Sequence, residues 1–373
     1  MCGCGEKKKK KEMLLQACGE KRPAPPPSPS SPPALLSPST PSMLLFIVGG
    51  LFFIGLLSFL ARRLFPRPCP YKGKTVALTG GSSGLGAAIV DAALAAGAER
   101  VIVFGRRPSP PELDHVRSHD RFTYVANVDV TDPECSKVMA EHVDLATVDT
   151  VVTCAGASLP GKVATTPTDE GMWQMRLNYG GTINVVEPCV RAWLPLPAAD
   201  RARKQIVLVS SACGLLGLVG YARYCASKFA LKGYADCLRS ELSASGIRVS
   251  IFLPGSIDTP GFEEENKRKP IETATIEGTA NLQSAAECAK SLYDGLRRGE
   301  YAITTEALLE IARMGANGLA PRTNTAWELL LIPLIVIVDQ GFHRYADFVV
   351  ASFSSVPSAA TKADTKDSSK KQK

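Results

Sequence analysis

The chain contains no Cys-x-x-Cys pair and only four histidines, His115, His119, His142 and His343. None of these stands at ligand spacing from a cysteine, so no metal site is expected. His115 and His119 are four residues apart but lie in a polar, Pro-flanked stretch and read as surface residues. The eleven cysteines are scattered without regular spacing. That excludes a disulfide scaffold and suits free, buried thiols in a reducing compartment. The middle of the chain also lacks a basic patch. The net charge of +7 is concentrated in the ends, in the five lysines Lys7–Lys11 and in the closing Lys370-Lys371-Gln372-Lys373. No nucleic-acid partner is therefore expected.

Residues 1–42 are rich in Pro, Ser and Lys and read as a disordered head, with Cys2 and Cys4 either acylation sites or part of a plain tail. Residues 43–61, MLLFIVGGLFFIGLLSFLA, form a run of nineteen without a charge. At about 1.5 Å per residue this run covers close to 30 Å, enough for a transmembrane helix. The basic linker 62–72 begins with Arg62 and Arg63 and carries Arg67 further on. By the positive-inside rule the chain beyond this linker faces the cytosol. A reductase-sized domain is expected over 73–310, an apolar membrane-associated segment over 311–353, and a disordered tail over 354–373. Within 329–353 the apolar run at Pro333, flanked by Trp327 and Tyr345, reads as an interfacial or re-entrant hairpin rather than a buried core helix. Whether it spans, re-enters or lies on the membrane stays open.

Between the ends, short apolar runs alternate with helical stretches. Strands are expected at Thr75–Thr79, Val101–Phe104, Thr123–Ala126, Thr150–Thr153, Gln205–Ser210 and Arg248–Leu253, and helices over 85–97, 132–146, 171–193 and 224–245. The pattern is that of an α/β fold with a doubly wound parallel sheet of Rossmann type. Ligands of such sheets bind at the carboxyl ends of the strands. After the first strand comes Thr79-Gly80-Gly81-Ser82-Ser83-Gly84-Leu85-Gly86. This is a glycine turn that lets backbone N–H groups approach a pyrophosphate at a helix start. The second strand ends in Gly105-Arg106-Arg107, without the acid that would bind a ribose 2′-hydroxyl. Two arginines suit a 2′-phosphate and favour NADPH, with Ser82 and Ser83 adding hydroxyl donors. After the third strand, Asp129, followed by Val130, is placed to hold the adenine amine. After the fourth, Ala155 and Gly156 let the backbone pass close to the ribose.

In Ser211–Lys228, SACGLLGLVGYARYCASK, Tyr224 stands four residues before Lys228 and Ser211 thirteen before Tyr224. On a helix the first spacing puts phenol and ammonium on one face. The ammonium should lower the phenol pKa from about 10 and make Tyr224 a general acid or base. Ser211, brought back by the glycine-rich turn, would hold the reacting oxygen.

Taken together, TGGSSGLG at 79–86, CAG at 154–156, Asn178 in LNYGG, Ser211, YCASK at 224–228 and PGSIDTPG at 254–261 resemble the short-chain dehydrogenase/reductase family over roughly 73–265. The resemblance implies that Tyr224 donates a proton to a carbonyl as hydride arrives from the nicotinamide. It implies that Lys228 lowers the Tyr224 pKa and binds the nicotinamide ribose, that Ser211 orients the carbonyl, and that Asn178 holds a relay water. Ser210 is adjacent, and the spacing alone only favours Ser211. Pro254, Gly255, Ile257 and Thr259 are implied on the cofactor, and a homodimer through 171–193 and 224–245 is possible. Thr153-Cys154 departs from the asparagines of many members.

A narrower resemblance, to the 3-ketodihydrosphingosine reductases, rests on residues 258–273, on GLLGLVGYARYCASKFALKGYAD at 214–236 and on the apolar C-terminal segment. It implies reduction of a long-chain sphingoid ketone by NADPH, in contact with the lipid bilayer, on the cytosolic face of the endoplasmic reticulum. The terminal lysines resemble a dilysine retrieval signal for that membrane. Glu263, Glu264 and Glu265 are either partners for the substrate amine or a solvated run. The alternatives are a membrane reductase for a steroid or retinoid carbonyl and a catalytically silent nucleotide-binding scaffold.

Overall fold

The computed structural model describes residues 40–65, 67, 69–278, 280–316, 328 and 331–354. The lysine-rich head, Cys2 and Cys4, Trp327 and the terminal lysines lie outside the described residues. Helix α1 (Thr40–Leu64) comes first. Among the described residues no helix is long and apolar enough to cross a membrane.

The domain is built on seven parallel strands. They are β1 (Thr75–Thr79), β2 (Arg100–Phe104), β3 (Phe122–Val125), β4 (Thr150–Thr153), β5 (Gln205–Val209), β6 (Arg248–Leu253) and β9 (Ala302–Thr304), with β7 (Ile257–Asp258) and β8 (Gln283–Ser284) forming a separate small pair. The sheet order β3-β2-β1-β4-β5-β6-β9 reverses direction between β1 and β4, which opens a crevice above their carboxyl ends. Because both faces are covered, the strands are buried almost throughout, β4 and β5 at every position. This is why they read as continuous Val/Ile/Leu runs rather than alternating ones.

The helices are α2 (Gly84–Ala95), α3 (Cys135–His142), α4 (Thr168–Met175), α5 (Gly181–Trp193), α6 (Ala222–Leu242), α7 (Pro260–Asn266), α8 (Ile271–Glu277), α9 (Ala285–Arg298), α10 (Ala307–Ala316) and α11 (Ile332–Ser354), with single-turn elements between. One hydrophobic cluster fills the face under α5 and α6, centred on Trp193, Ile206 and Ile251. The other lies under α2 and α9, around Ile89, Val103 and Leu292. Trp193 is wholly buried and its indole N–H donates to the Leu145 carbonyl at 2.9 Å, so its one polar atom is satisfied.

The seventh strand was not expected from the sequence. Three residues are too short a run to register, although the capping box that starts α9, Ser284 with Glu287, stands in the sequence in front of it. The expected C-terminal hairpin is instead one continuous helix, α11. Pro333 sits at its second residue, where a missing N–H costs nothing. Ile335 and Val349 are buried while Leu334, Ile337 and Phe348 are exposed.

Candidate active site

The cofactor end begins where β1 runs into α2. Gly80 has φ +70°, and a Cβ there would collide with the Ala155 backbone; one at Gly86 would collide with the Gly80 carbonyl. Only glycine lets the turn and the helix close this tightly. Ser83, the residue before α2, makes no side-chain cap. The Gly84 N–H instead donates to Glu112 Oε2 at 2.7 Å. The α2 N-terminus therefore already draws an anionic oxygen, which is the behaviour a phosphate cradle requires. Glu112 belongs to the short 3₁₀ turn Pro111–Val116 and was missed in the sequence, because nothing local marks it as a neighbour of Gly84.

Arg106 and Arg107 follow β2 and are exposed, and among the described residues no carboxylate pairs with either guanidinium. Tyr124 pins their loop by donating to the Arg107 carbonyl at 2.7 Å. After β3, Asp129 is engaged within its own loop. Its Oδ1 accepts from the Thr131 N–H at 2.9 Å and the Thr131 hydroxyl at 2.8 Å. The carboxylate folds onto its own loop, and Val128 and Val130 border the cavity in its place. At the end of β4, the Thr153 hydroxyl is buried without a hydrogen bond.

A cavity of about 1250 Å³ joins these groups to the chemistry. Gly80, Ser82, Ser83, Gly84, Leu85 and Gly86 line its cofactor end together with Arg106, Arg107 and Val130. Ala155, Gly156, Pro254, Gly255, Ile257 and Thr259 line its middle, where Ser211, Tyr224 and Lys228 also face it. Of the residues singled out in the sequence, Asp129 and Asn178 do not border it.

Tyr224 and Lys228 share one face of α6. The Lys228 ammonium is 5.6 Å from the Tyr224 ring centroid and donates to the Val209 carbonyl at 3.2 Å. Burial brings the Lys228 ammonium down to about 8. The Tyr224 phenol moves the opposite way from the expectation: burial, reinforced by the Glu265 carboxylate, holds it well above 10. Burial disfavours the charged phenolate. Tyr224 is therefore a phenol at neutral pH, a proton donor. The Ser211 hydroxyl hydrogen-bonds to that phenol and accepts from the Cys213 N–H at 3.2 Å. Ser210 is buried and its hydroxyl donates to the Lys228 backbone carbonyl at 3.1 Å. The serine facing the phenol is Ser211.

Asn178 lies in a π-helical turn, Arg176–Gly180, between α4 and α5. Its Oδ1 accepts from the Ala157 N–H at 2.9 Å, and its Nδ2 donates to the Ala157 carbonyl at 3.0 Å and to Ser227 Oγ at 2.9 Å. Both amide hydrogens are committed, so the side chain has no donor left for a relay water. It clamps the loop after β4 to the helix that carries Tyr224.

The substrate end is closed by 258–277. Thr259 caps α7. The Arg268 Nη2 donates to both carboxylate oxygens of Glu170, at 2.8 and 2.9 Å, and Lys162 pairs with Glu272 at 2.5 Å. Beyond it the cavity wall turns apolar, with Leu308, Ile311, Ile335 and Phe342 from α10 and α11.

Comparison with known proteins places these features. The model of the short chain dehydrogenase family matches residues 74–270. The chain is 31% identical to a 3-ketodihydrosphingosine reductase of Dictyostelium discoideum, over 72% of this chain and 85% of that one. It is 30% identical to a 3-dehydrosphinganine reductase of Danio rerio, over 82% and 91%. Among solved structures, a short-chain dehydrogenase of Streptomyces avermitilis is 28% identical with a TM-score of 0.54, over 65% of this chain and 91% of that one.

Proposed function

The chain belongs to the short-chain dehydrogenase family of oxidoreductases, and from that premise we propose that it reduces 3-ketodihydrosphingosine to dihydrosphingosine with NADPH. The observation that carries this reading is the single cavity that runs from the glycine cradle, past Ser211 and Tyr224, to an apolar wall on α10 and α11. A long-chain ketone needs such a wall for its tail. The names of the relatives point to the same substrate. The free guanidinium groups of Arg106 and Arg107 support NADPH over NADH.

When bound, the nicotinamide supplies the hydride. The protein's part rests on its own groups. Ser211 hydrogen-bonds to the carbonyl oxygen, and Tyr224, held as a phenol, releases its proton to that oxygen as charge develops there. Lys228 keeps an ammonium beside the phenolate that remains and takes the ribose hydroxyls. Asn178 holds the loop against α6 so that these distances persist.

A membrane location is part of the proposal. Counted on the full sequence, residues 43–61 carry no charge and Arg62 and Arg63 come directly after them. The helix that contains them runs 25 residues, about 37 Å at 1.5 Å each. Exposed apolar side chains on α11, Ile337 and Phe348 among them, support a second contact with lipid. The reading puts the domain on the cytosolic face of the endoplasmic reticulum, and exposed Met172 and Phe229 on α4 and α6 suit pairing of two copies.

The test is NADPH oxidation by detergent-solubilised protein, wild type beside Tyr224→Phe, with 3-ketodihydrosphingosine and a keto-steroid offered separately. Turnover of the sphingoid ketone alone, reduced about 10²–10⁴-fold in the variant, supports the reading. Turnover of the steroid alone overturns the substrate, and nucleotide binding without turnover of either overturns the activity.

A further inference from the structure

Resting on the substrate reading above, we propose that Glu265 and Glu277 form the receptor for the substrate's ammonium group. The enzyme then selects ketones that carry a cationic amine beside the carbonyl. The three consecutive acids of α7 have different surroundings. Glu263 and Glu264 are exposed, and Glu264 pairs with Lys267. Glu265 turns inward and accepts a hydrogen bond from the Tyr221 hydroxyl. Tyr221 is buried, and its ring centroid is 5.8 Å from that of Tyr224. Glu265 is close enough to Tyr224 that its charge helps to hold the phenol protonated. Glu277, at the end of α8, lines the same cavity beside Tyr221.

The site already holds an ammonium of its own. The Lys269 side chain, 3% exposed, reaches between the two carboxylates, pairing with Glu277 and lying 3.3 Å from Glu265. It also lies 3.9 Å from the centre of the Phe262 ring. Carboxylates and an aromatic face around a buried ammonium are the elements of a cation receptor. One ammonium nevertheless leaves one of the two carboxylates uncompensated. The other cations of this wall are committed elsewhere: Lys162 to Glu272, Lys267 to Glu264, Arg268 to Glu170, and Arg223 to the Thr166 carbonyl. Burial holds the Glu277 carboxyl above the ordinary carboxylate range, as expected for a half-buried acid short of counter-charge. A ketone whose oxygen meets Tyr224 carries its amine one carbon away, and a cation arriving there relieves this imbalance. Of the further acids on the cavity, Glu306 borders Gly255, and Asp339 on α11 lies beside His343.

The experiment compares kcat/KM for 3-ketodihydrosphingosine and for the same keto-alcohol lacking only the amine. In the wild type the amine should be preferred by about tenfold to hundredfold, the range of hydrogen bonds to charged groups, with the difference in KM. Glu265→Gln and Glu277→Gln should lose most of that preference while still reducing the amine-free ketone, a turnover that also reports folding. Glu264→Gln and Glu306→Gln should keep it. A wild type without preference, or folded Glu265→Gln and Glu277→Gln variants that retain it, overturns the proposal. A wild type that reduces neither ketone defeats the substrate reading instead. The receptor is then judged by titrating wild type and Glu265→Gln with dodecylammonium and with dodecanol. Tighter binding of the cation that the substitution abolishes supports it, and equal binding of the two overturns it.

Discussion

Around the nucleotide cradle, position is carried by the backbone; around the substrate mouth, it is carried by side chains. Gly80, Gly86, Ala155 and Gly255 act through where the chain runs, at the carboxyl ends of strands locked in register by the sheet. Glu265, Lys269, Glu277, Arg268 and Lys162 act through charges that meet across loops, Arg268 and Glu170 being 98 residues apart. The first kind of site tolerates no added atom. The second depends on charges that pair with one another, so exchanging one charge changes what its partners face. A shared cofactor and a variable substrate call for this division.

Ser211 stands on the seam between the two regions, and altering it should have the largest effect. Ser211→Ala removes the hydroxyl that meets the phenol and, on the proposed reading, the carbonyl oxygen, and turnover should fall about 10²–10³-fold with nucleotide affinity unchanged. Its neighbour gives the contrast. Ser210→Ala loses one buried bond to the Lys228 carbonyl, about 1 kcal/mol of stability, and should keep most of the turnover. Steady-state kinetics beside thermal unfolding separates the pair. Equal loss of turnover in both would mean that the two serines share the task.

On the backbone side, Gly86→Ala should weaken nucleotide binding roughly hundredfold, as a displacement of about 1 Å at a binding loop does. The readout is quenching of protein fluorescence by NADPH. Binding unchanged would show that the cradle yields where the tight packing says it cannot. A milder change is expected at Arg106 and Arg107, whose side chains are exposed. Replacing both by alanine should cut the preference for NADPH over NADH about tenfold to hundredfold. A preference left intact would move the 2′-phosphate contact to Ser82 and Ser83.

The same division explains what the sequence disclosed. Cradle and catalytic groups were legible because each lies within a few residues of a strand end or shares one helix, so spacing carries the geometry: Gly80 to Gly86, and Tyr224 to Lys228. Ser210 and Ser211 were indistinguishable until the sheet fixed which hydroxyl meets α6 and which meets the phenol. Glu112 beneath Gly84, and Lys269 between Glu265 and Glu277, depend on tertiary approach and leave no local signal. The bonds from Thr131 to Asp129 were likewise not legible, because an acid after a strand is compatible with a ligand contact and equally with a turn bonded to its neighbour. The direction of the Tyr224 shift was misjudged for a related reason. Spacing reports the nearby ammonium but not the desolvation that outweighs it.

Lys228 tests the balance between the two regions most finely, because its charge belongs to the cradle and its burial to the whole cavity. Burial lowers its ammonium to about 8 in the empty enzyme, against about 10.4 in an unfolded chain. Between those values the unfolded state holds the extra proton, so this group makes the empty protein more stable as pH rises through 8. On the proposed reading, ribose hydroxyls accept from the ammonium and favour it, so binding above pH 8 should take up a proton. Nucleotide affinity should therefore fall as pH rises, by up to about tenfold between pH 8 and 9. Lys228→Met should start weaker, show no such slope and lose the matching rise in stability. Binding titrations and thermal unfolding of both proteins from pH 7 to 9.5 check the two opposite slopes together. An affinity that is flat through pH 9 in the wild type would mean that the ammonium keeps its proton without the nucleotide, and that the cavity is wetter around Lys228 than its burial implies.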